Sequence, residues 1–236
     1  MDTNLRLDWC SHEAAKYAVE HWHYSRTMPM PPLLRVGVWE SDKFIGCVLF
    51  GRGNTPTLGN AYGLQMTEVC ELVRVALTKH ETQVSKIVSI AIRLLKKSNP
   101  KLRLIVSFAD PSQNHVGGIY QAGNWAYVGM STPSPQWFHE GEWKHHREVS
   151  SGAFGGARKV VDYTKLPKRA GVSKYRYLMP LDDEMRRKIE LLRKPYPKRA
   201  TAETETGGLS KSDTGGAIPT VALLKVKKCQ RRKNHC

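Results

Sequence analysis

The sequence predicts a mixed α/β fold, and three observations predict it. Apolar runs of strand length, Leu34–Glu40, Lys43–Gly51, Val69–Leu77 and Leu104–Phe108, recur through the first half of the chain. A long stretch between two of them, Gln83–Lys97, carries Val84, Ile87, Val88, Ala91, Ile92 and Leu95 on one face at helical spacing. The first two runs flank Ser41-Asp42, a turn pair that joins antiparallel strands. Hairpins mixed with strand–helix–strand units describe a sheet that is neither wholly parallel nor wholly antiparallel.

Each element has a local reason. Ser11–His23 is a helix candidate: Ser11 can cap it, and Ala15, Val19 and Trp22 recur on one face. The prolines of Arg26–Pro32 end that pattern. Residues 51–63 are rich in glycine and asparagine and read as a loop. Thr82 is placed to cap the helix 83–97, and Asn99-Pro100 to stop it. The densest stretch follows, LIVSFADPSQNHVGGIYQAGNWAYVG over 104–129. It reads as a buried strand, a polar turn, a short helix starting near His115 and bearing Tyr120, a stop at Gly123-Asn124, and a strand from Trp125. Strand ends that meet helix starts gather backbone N–H groups and short polar side chains, so chemistry is expected there.

Beyond Ser131 the character changes. Residues 132–170 form an insertion in which Trp137, Phe138 and Trp143 lie among histidines, prolines and charges. Tyr175–Met179 can supply a last strand and Asp182–Arg193 a charged helix. From 194 to 236, Pro, Gly, Ser, Thr and Lys dominate, as in a disordered basic tail. The catalytic domain is therefore expected over residues 5–193.

Lysine and arginine number 37 against 21 acidic residues in 236, a formal charge of +16. An excess of that size points to a polyanionic partner, and to nucleic acid first. Arg158, Lys159, Lys165, Lys168, Arg169, Lys174 and Arg176 are the expected phosphate contacts. No apolar run is long enough to span a bilayer, and the N-terminal residues are too polar for a signal peptide. The five scattered cysteines form no CxxC pair, which suits a reducing cytoplasm.

The chemistry-bearing residues fall into three groups. Asp110 and His115 suit proton abstraction, with Ser107 and Tyr120 beside them. Glu71 and Arg74 are charged residues within an apolar strand, and a spacing of three on a regular strand points them to opposite faces. Trp22, His23, Tyr24, Ser25 and Arg26 leave the first helix as an aromatic and basic cluster suited to an unstacked base, with Asn114 a second polar contact. Redox iron held by Asp110, His115 or Tyr120 is a further cofactor candidate, because forming a C–N bond without an obvious activated donor would give a metal a task.

The order of elements, with Glu71-Leu72-Val73-Arg74 as fourth strand, Leu104–Phe108 as fifth and Ile119–Trp125 as a helix–tyrosine–glycine–aromatic step, resembles the GNAT acyltransferase core. That resemblance implies a sheet splayed between its fourth and fifth strands, an acyl donor in the gap, and Tyr120 as general acid. GNAT enzymes cradle the pyrophosphate of coenzyme A with a glycine-rich loop before the next helix. Residues 80–87 have no glycine, so Lys79, Ser85, Lys86 and the helix N-terminus are left to hold an acetyl-CoA or a related acyl or glycyl donor.

Read together, His23-Tyr24-Ser25, Glu71–Arg74, Ser107–Asp110 and His115–Trp125 resemble the Mom family of phage DNA-modification proteins. The resemblance implies transfer of a carbamoylmethyl group to N6 of adenine in double-stranded DNA. It also implies protection from restriction enzymes, action in the host cytoplasm and a donor that the host could supply. The alternatives are a GNAT N-acetyltransferase acting on a protein or small-molecule amine, and a DNA-binding protein without catalysis.

Overall fold

The computed structural model describes residues 4–53, 57–145, 149 and 161–199. Arg158 and Lys159, and the tail from Ala200 onward, lie outside the described residues. A seven-stranded sheet is built from β1 (Leu5–Trp9), β2 (Leu33–Glu40), β3 (Lys43–Gly51), β4 (Val69–Leu77), β5 (Leu104–Ala109), β6 (Ala126–Met130) and β10 (Tyr175–Pro180). Its spatial order is β1-β2-β3-β4-β5-β10-β6, and every pairing is antiparallel except β4 with β5. This is the mixed sheet the sequence predicts. The last strand to be made enters between β5 and β6.

Helices cover both faces. On α1 (His12–Trp22), Ala15, Ala18 and Val19 pack on Cys47, Leu49 and Ala76. Ser11 caps this helix, its hydroxyl accepting from the Ala14 amide at 3.1 Å. The apolar face of α2 (Val84–Ser98), Ile87 to Leu95, meets Val48, Phe50, Leu72 and Ile105 on the other side of the sheet. The short α3 (Gly118–Ala122) lies on the α2 side, and α4 (Asp183–Glu190) buries Met185 and Ile189 against Leu104, Val106 and Leu178.

Four features differ from expectation. The chain before α1 forms an edge strand, β1; its alternation over five residues is too short to stand out among polar neighbours. Residues 135–145 form a hairpin, β7 (Pro135–His139) and β8 (Glu142–His145), joined by β9 (Lys168–Ala170) into a second, three-stranded sheet. Thr82 does not cap α2, which starts without a side-chain cap. Residues 194–199, assigned by composition to the tail, pack back on the sheet. The Lys194 amide donates to Tyr127 at 2.8 Å and the Tyr196 hydroxyl to the Trp125 carbonyl at 2.8 Å.

The sheet opens where function is expected. Pairing of β4 with β5 runs from Val69↔Leu104 to Leu72↔Ser107 and stops, although both strands continue. A bulge accompanies the opening. In the β3–β4 pairing Leu49 faces Arg74 and Phe50 faces Leu72, so Val73 is an extra residue on β4. Bulges bend a strand and shift its alternation by one.

Candidate active site

A cleft of about 1310 Å³ lies at this opening, and its walls come from α1's exit, β4, the β5–α3 turn, β10 and the β7–β8 hairpin. The bulge decides what β4 contributes. With Val73 inserted, Glu71 and Arg74 come to the same face instead of opposite ones, and both line the cleft. Glu71 is 9% exposed. Arg74 donates from one terminal nitrogen to the Val73 carbonyl at 2.7 Å, while its buried Nε–H has no hydrogen-bond partner among the described residues. A buried cationic donor left open beside a cleft is a ready contact for an incoming carbonyl or anion.

Ser107 and Tyr120 sit at the fork itself. Ser107 is fully buried; its hydroxyl donates to the Leu72 carbonyl at 2.8 Å and accepts the Tyr120 phenol at 2.7 Å. The direction is forced, because a carbonyl can only accept and a hydroxyl has one hydrogen. Burial pushes the Tyr120 phenol up to about 12; the Ser107 hydrogen bond and Arg74 oppose this, while Tyr24 and Glu71 add to it. Tyr120 is therefore protonated at neutral pH. Its ring packs on Trp125 and Tyr177, with centroids 5.1 Å away in each case. Gly117 permits that packing: at φ +81°, a Cβ there would lie 2.3 Å from Tyr177 Cε2.

Asp110 lines the cleft but is heavily engaged. One oxygen caps the turn after β5, accepting from the Ser112 amide at 3.0 Å and its hydroxyl at 2.6 Å; the other meets Lys174 Nζ at 3.1 Å. Burial alone would raise its pKa, but the Ser112 and Lys174 contacts outweigh that and hold it below the usual carboxylate range. So held, it is a weak proton acceptor. His115 is exposed and does not start the helix, since α3 begins at Gly118; it belongs to the turn, with its amide on the Asp110 carbonyl at 3.2 Å. Asn114 takes the left-handed position (φ 54°) that ends the one-turn helix 111–113; it is exposed and outside the cleft lining.

The α1 exit gives Trp22, His23 and Tyr24 to the cleft, but not Ser25 or Arg26. Ser25 instead fixes His23. Its amide donates to His23 Nδ1 at 3.1 Å with its hydroxyl 2.8 Å away, which leaves the ring proton on Nε2. Burial lowers the His23 pKa to about 4, helped by the positive fields of Arg74 and His115. Arg26, at φ 48°, turns the chain and is exposed. The Tyr24 ring stands edge-on to His115 at 5.2 Å and tilted on His23 at 4.3 Å, forming an aromatic rim.

Of the expected phosphate contacts, Lys174 and Arg176 line the cleft. Lys168 and Arg169 stand on β9, with Lys168 Nζ 5.8 Å from the Trp137 ring and Arg169 Cζ 4.4 Å from that of Trp143. Lys165 is exposed and pairs with Asp162 at 3.3 Å. Sequence reasoning did not single out Gln136, which the hairpin brings to the cleft wall, and read His145 only as one of a run of histidines, solvated, phosphate-facing or metal-binding; only recognition of β7 and β8 as strands could have placed them.

The donor side has an unexpected occupant. Glu40, at the end of β2, is 8% exposed and accepts the Glu81 amide at 3.0 Å and the Thr82 amide at 2.7 Å. These belong to the stretch where a GNAT pyrophosphate would be cradled, so that mode of holding coenzyme A does not fit. The uncapped N-terminus of α2 remains, with His80 and Val84 on the cleft wall; Ser85 is half-buried beside them, and Lys79 and Lys86 are exposed outside the lining. Among the described residues, no three His, Cys, Asp or Glu side chains gather as metal ligands. No helix among them is long and apolar enough to cross a membrane.

The sequence profile of the Mom protein family matches residues 4–198, which includes every wall of the cleft described above. The chain belongs to the Mom protein family. Among curated relatives, the methylcarbamoylase Mom of Escherichia phage Mu is 28% identical over 205 residues, covering 82% of this chain and 84% of that protein. Solved structures similar to this Mom-family chain include the N-acyl amino acid synthase FeeM from uncultured soil microbes, 10% identical with TM-score 0.45, covering 77% of this chain and 92% of that one. The spermidine/spermine N-acetyltransferase SpeG of Vibrio cholerae is 11% identical with TM-score 0.41, over 78% and 96%. A Bacillus subtilis acetyltransferase in complex with CoA is 14% identical with TM-score 0.41, over 75% and 99%.

Proposed function

We infer that this Mom-family protein is a transferase that modifies DNA, placing a carbamoylmethyl group on N6 of adenine and so shielding phage DNA from restriction enzymes. The observation that carries the reading is the bulge at Val73. It turns Glu71 and Arg74 together into an opening that also holds Tyr120, in a chain of strong positive charge. A paired adenine amine is out of reach in a duplex, so the base must be extruded, and the Tyr24–His23 rim offers it a stacking surface. Lys174 and Arg176 would hold the flanking phosphates.

The amine is a poor nucleophile because its lone pair is delocalised into the ring. Bond formation from N6 to the incoming carbon requires loss of a proton from nitrogen and departure of the donor's leaving group with the electron pair. With Asp110 held by Ser112 and Lys174, we assign that proton to His115, whose imidazole lines the cleft, with Glu71 on the same lining. The Arg74 guanidinium would polarise the group being transferred. Tyr120 keeps its proton at neutral pH and serves as a hydrogen-bonding floor to the site, with Ser107 positioning it. To give that product, the donor must carry its leaving group on the methylene carbon of the carbamoylmethyl unit, since plain acyl or glycyl transfer would join N6 to a carbonyl carbon; it would approach from the α2 end. An acetyltransferase drawing on CoA through loop amides is disfavoured by Glu40, and iron is assigned no step.

The test is expression in bacteria followed by mass spectrometry of nucleosides from digested DNA. The expected product is a deoxyadenosine in which a carbamoylmethyl group replaces one hydrogen, absent with Arg74→Ala. Unmodified DNA from cells holding folded protein would overturn the reading.

A further inference from the structure

We propose that the cleft-facing side of the β7–β8–β9 sheet is a stacking platform for the DNA strand, and that Phe138 fills the space the target adenine vacates. This inference rests on the DNA-modification reading above and deepens it. Strand register fixes which side chains share that face. Gln136 pairs with His145 and with Arg169, and Phe138 pairs with Trp143. Gln136 and His145 line the cleft, so Phe138, two residues along from Gln136, and its partner Trp143 look the same way.

Contacts agree with the register. Arg169 donates to Gln136 at 3.0 Å and lies over Trp143, whose ring is 5.4 Å from that of Phe138. Trp137, on the opposite side, packs with Tyr163 at 5.1 Å. The hairpin closes on Glu140-Gly141, both at positive φ (54° and 81°), the tight two-residue turn that matches strand twist. Phe138, two residues before Glu140, is 40% exposed. An exposed phenyl backed by indole and guanidinium is costly in water and suited to a base edge or an opened stack. The occupant is nucleic acid because the cation on this face complements phosphate, and because the face continues into the cleft that would receive the base. Aromatic wedges of this kind hold a duplex open after a base leaves it.

The experiment uses the full chain and two synthetic duplexes, identical except that one carries an abasic site opposite a central adenine. Affinity is read by fluorescence anisotropy at physiological salt. Phe138→Ala is expected to weaken binding to the paired duplex by about five-fold or more, the lower end of what one base–aromatic stack contributes. Binding to the duplex with the unpaired adenine should fall far less, and Phe138→Trp should restore the first. Modified adenine in cells should fall with Phe138→Ala and recover with Phe138→Trp. If the unaltered chain modifies DNA while Phe138→Ala matches it on both duplexes, the platform is refuted and the function stands. Loss of modification without any change in DNA binding also refutes it, pointing to a protein partner. If the unaltered chain neither binds duplex nor modifies adenine, the functional reading fails and takes the platform with it.

Discussion

Ser107→Ala should be the most damaging small substitution in the cleft. The native hydroxyl satisfies two buried groups at once, the Leu72 carbonyl and the Tyr120 phenol. Alanine leaves both without that partner, and each orphaned group costs about 1–3 kcal/mol, so about 2–6 kcal/mol is expected in all. Tyr120→Phe removes only the phenol and leaves Ser107 on Leu72, for about 1 kcal/mol. The double variant should cost less than the sum by about 2–4 kcal/mol, because the orphaned phenol and the lost Tyr120 bond drop out once both hydroxyls are gone. Urea unfolding of the four proteins, followed by two optical probes to check for a two-state transition, measures the coupling. Additivity to within about 0.5 kcal/mol would show that the hydroxyls do not share a bond and would remove Ser107 as the support of Tyr120.

Other perturbations test other parts of the site. Arg74→Lys keeps charge but loses the planar fork, and should cut modified adenine at least about ten-fold by nucleoside mass spectrometry while leaving thermal stability nearly unchanged. Glu40→Gln loses one acceptor oxygen, and should lower Tm by about 2–4 °C, what about 1 kcal/mol produces in a domain of this size. His23 has a folded pKa of about 4, below its unfolded value. The unfolded chain therefore binds more protons as pH falls from about 6.5 toward 4, and stability declines across that window. His23→Asn, which keeps an acceptor for Ser25, should flatten the decline in acid-titrated unfolding. Lys174→Ala and Arg176→Ala should each reduce the salt slope of DNA binding by about one.

Much of the scaffold was legible because apolar periodicity is a local property. β4 was read with its observed bounds, and Ser11 announced α1 as its cap. The failures have physical causes. Regular alternation separates Glu71 from Arg74, and nothing in the residues VCELVRVAL announces that Val73 is surplus; the bulge exists in the pairing with β3, not in the strand alone. Thr82 has the chemistry of a cap, yet its amide is claimed by Glu40, 42 positions earlier in the chain. Asp110 and His115 were rightly placed near one strand end, but their surroundings are completed by Lys174 and Tyr24, which arrive from the segment before β10 and from the α1 exit. The β7–β8 hairpin was hidden because its strands are short and rich in aromatic and charged residues on both sides.

The position of Tyr175–Pro180 in the sheet bears on how the molecule is made. β5 and β6 are neighbours only through this strand, so a ribosome must deliver the whole hairpin region before the interior of the sheet can close. Until then Ser107 borders an unpaired edge, and the Tyr120 ring lacks the Tyr177 ring it rests on. Long-range closure of this sort slows folding. A nascent chain halted before residue 175 would thus carry every side chain of the β4–β5 fork and still have no finished reaction chamber.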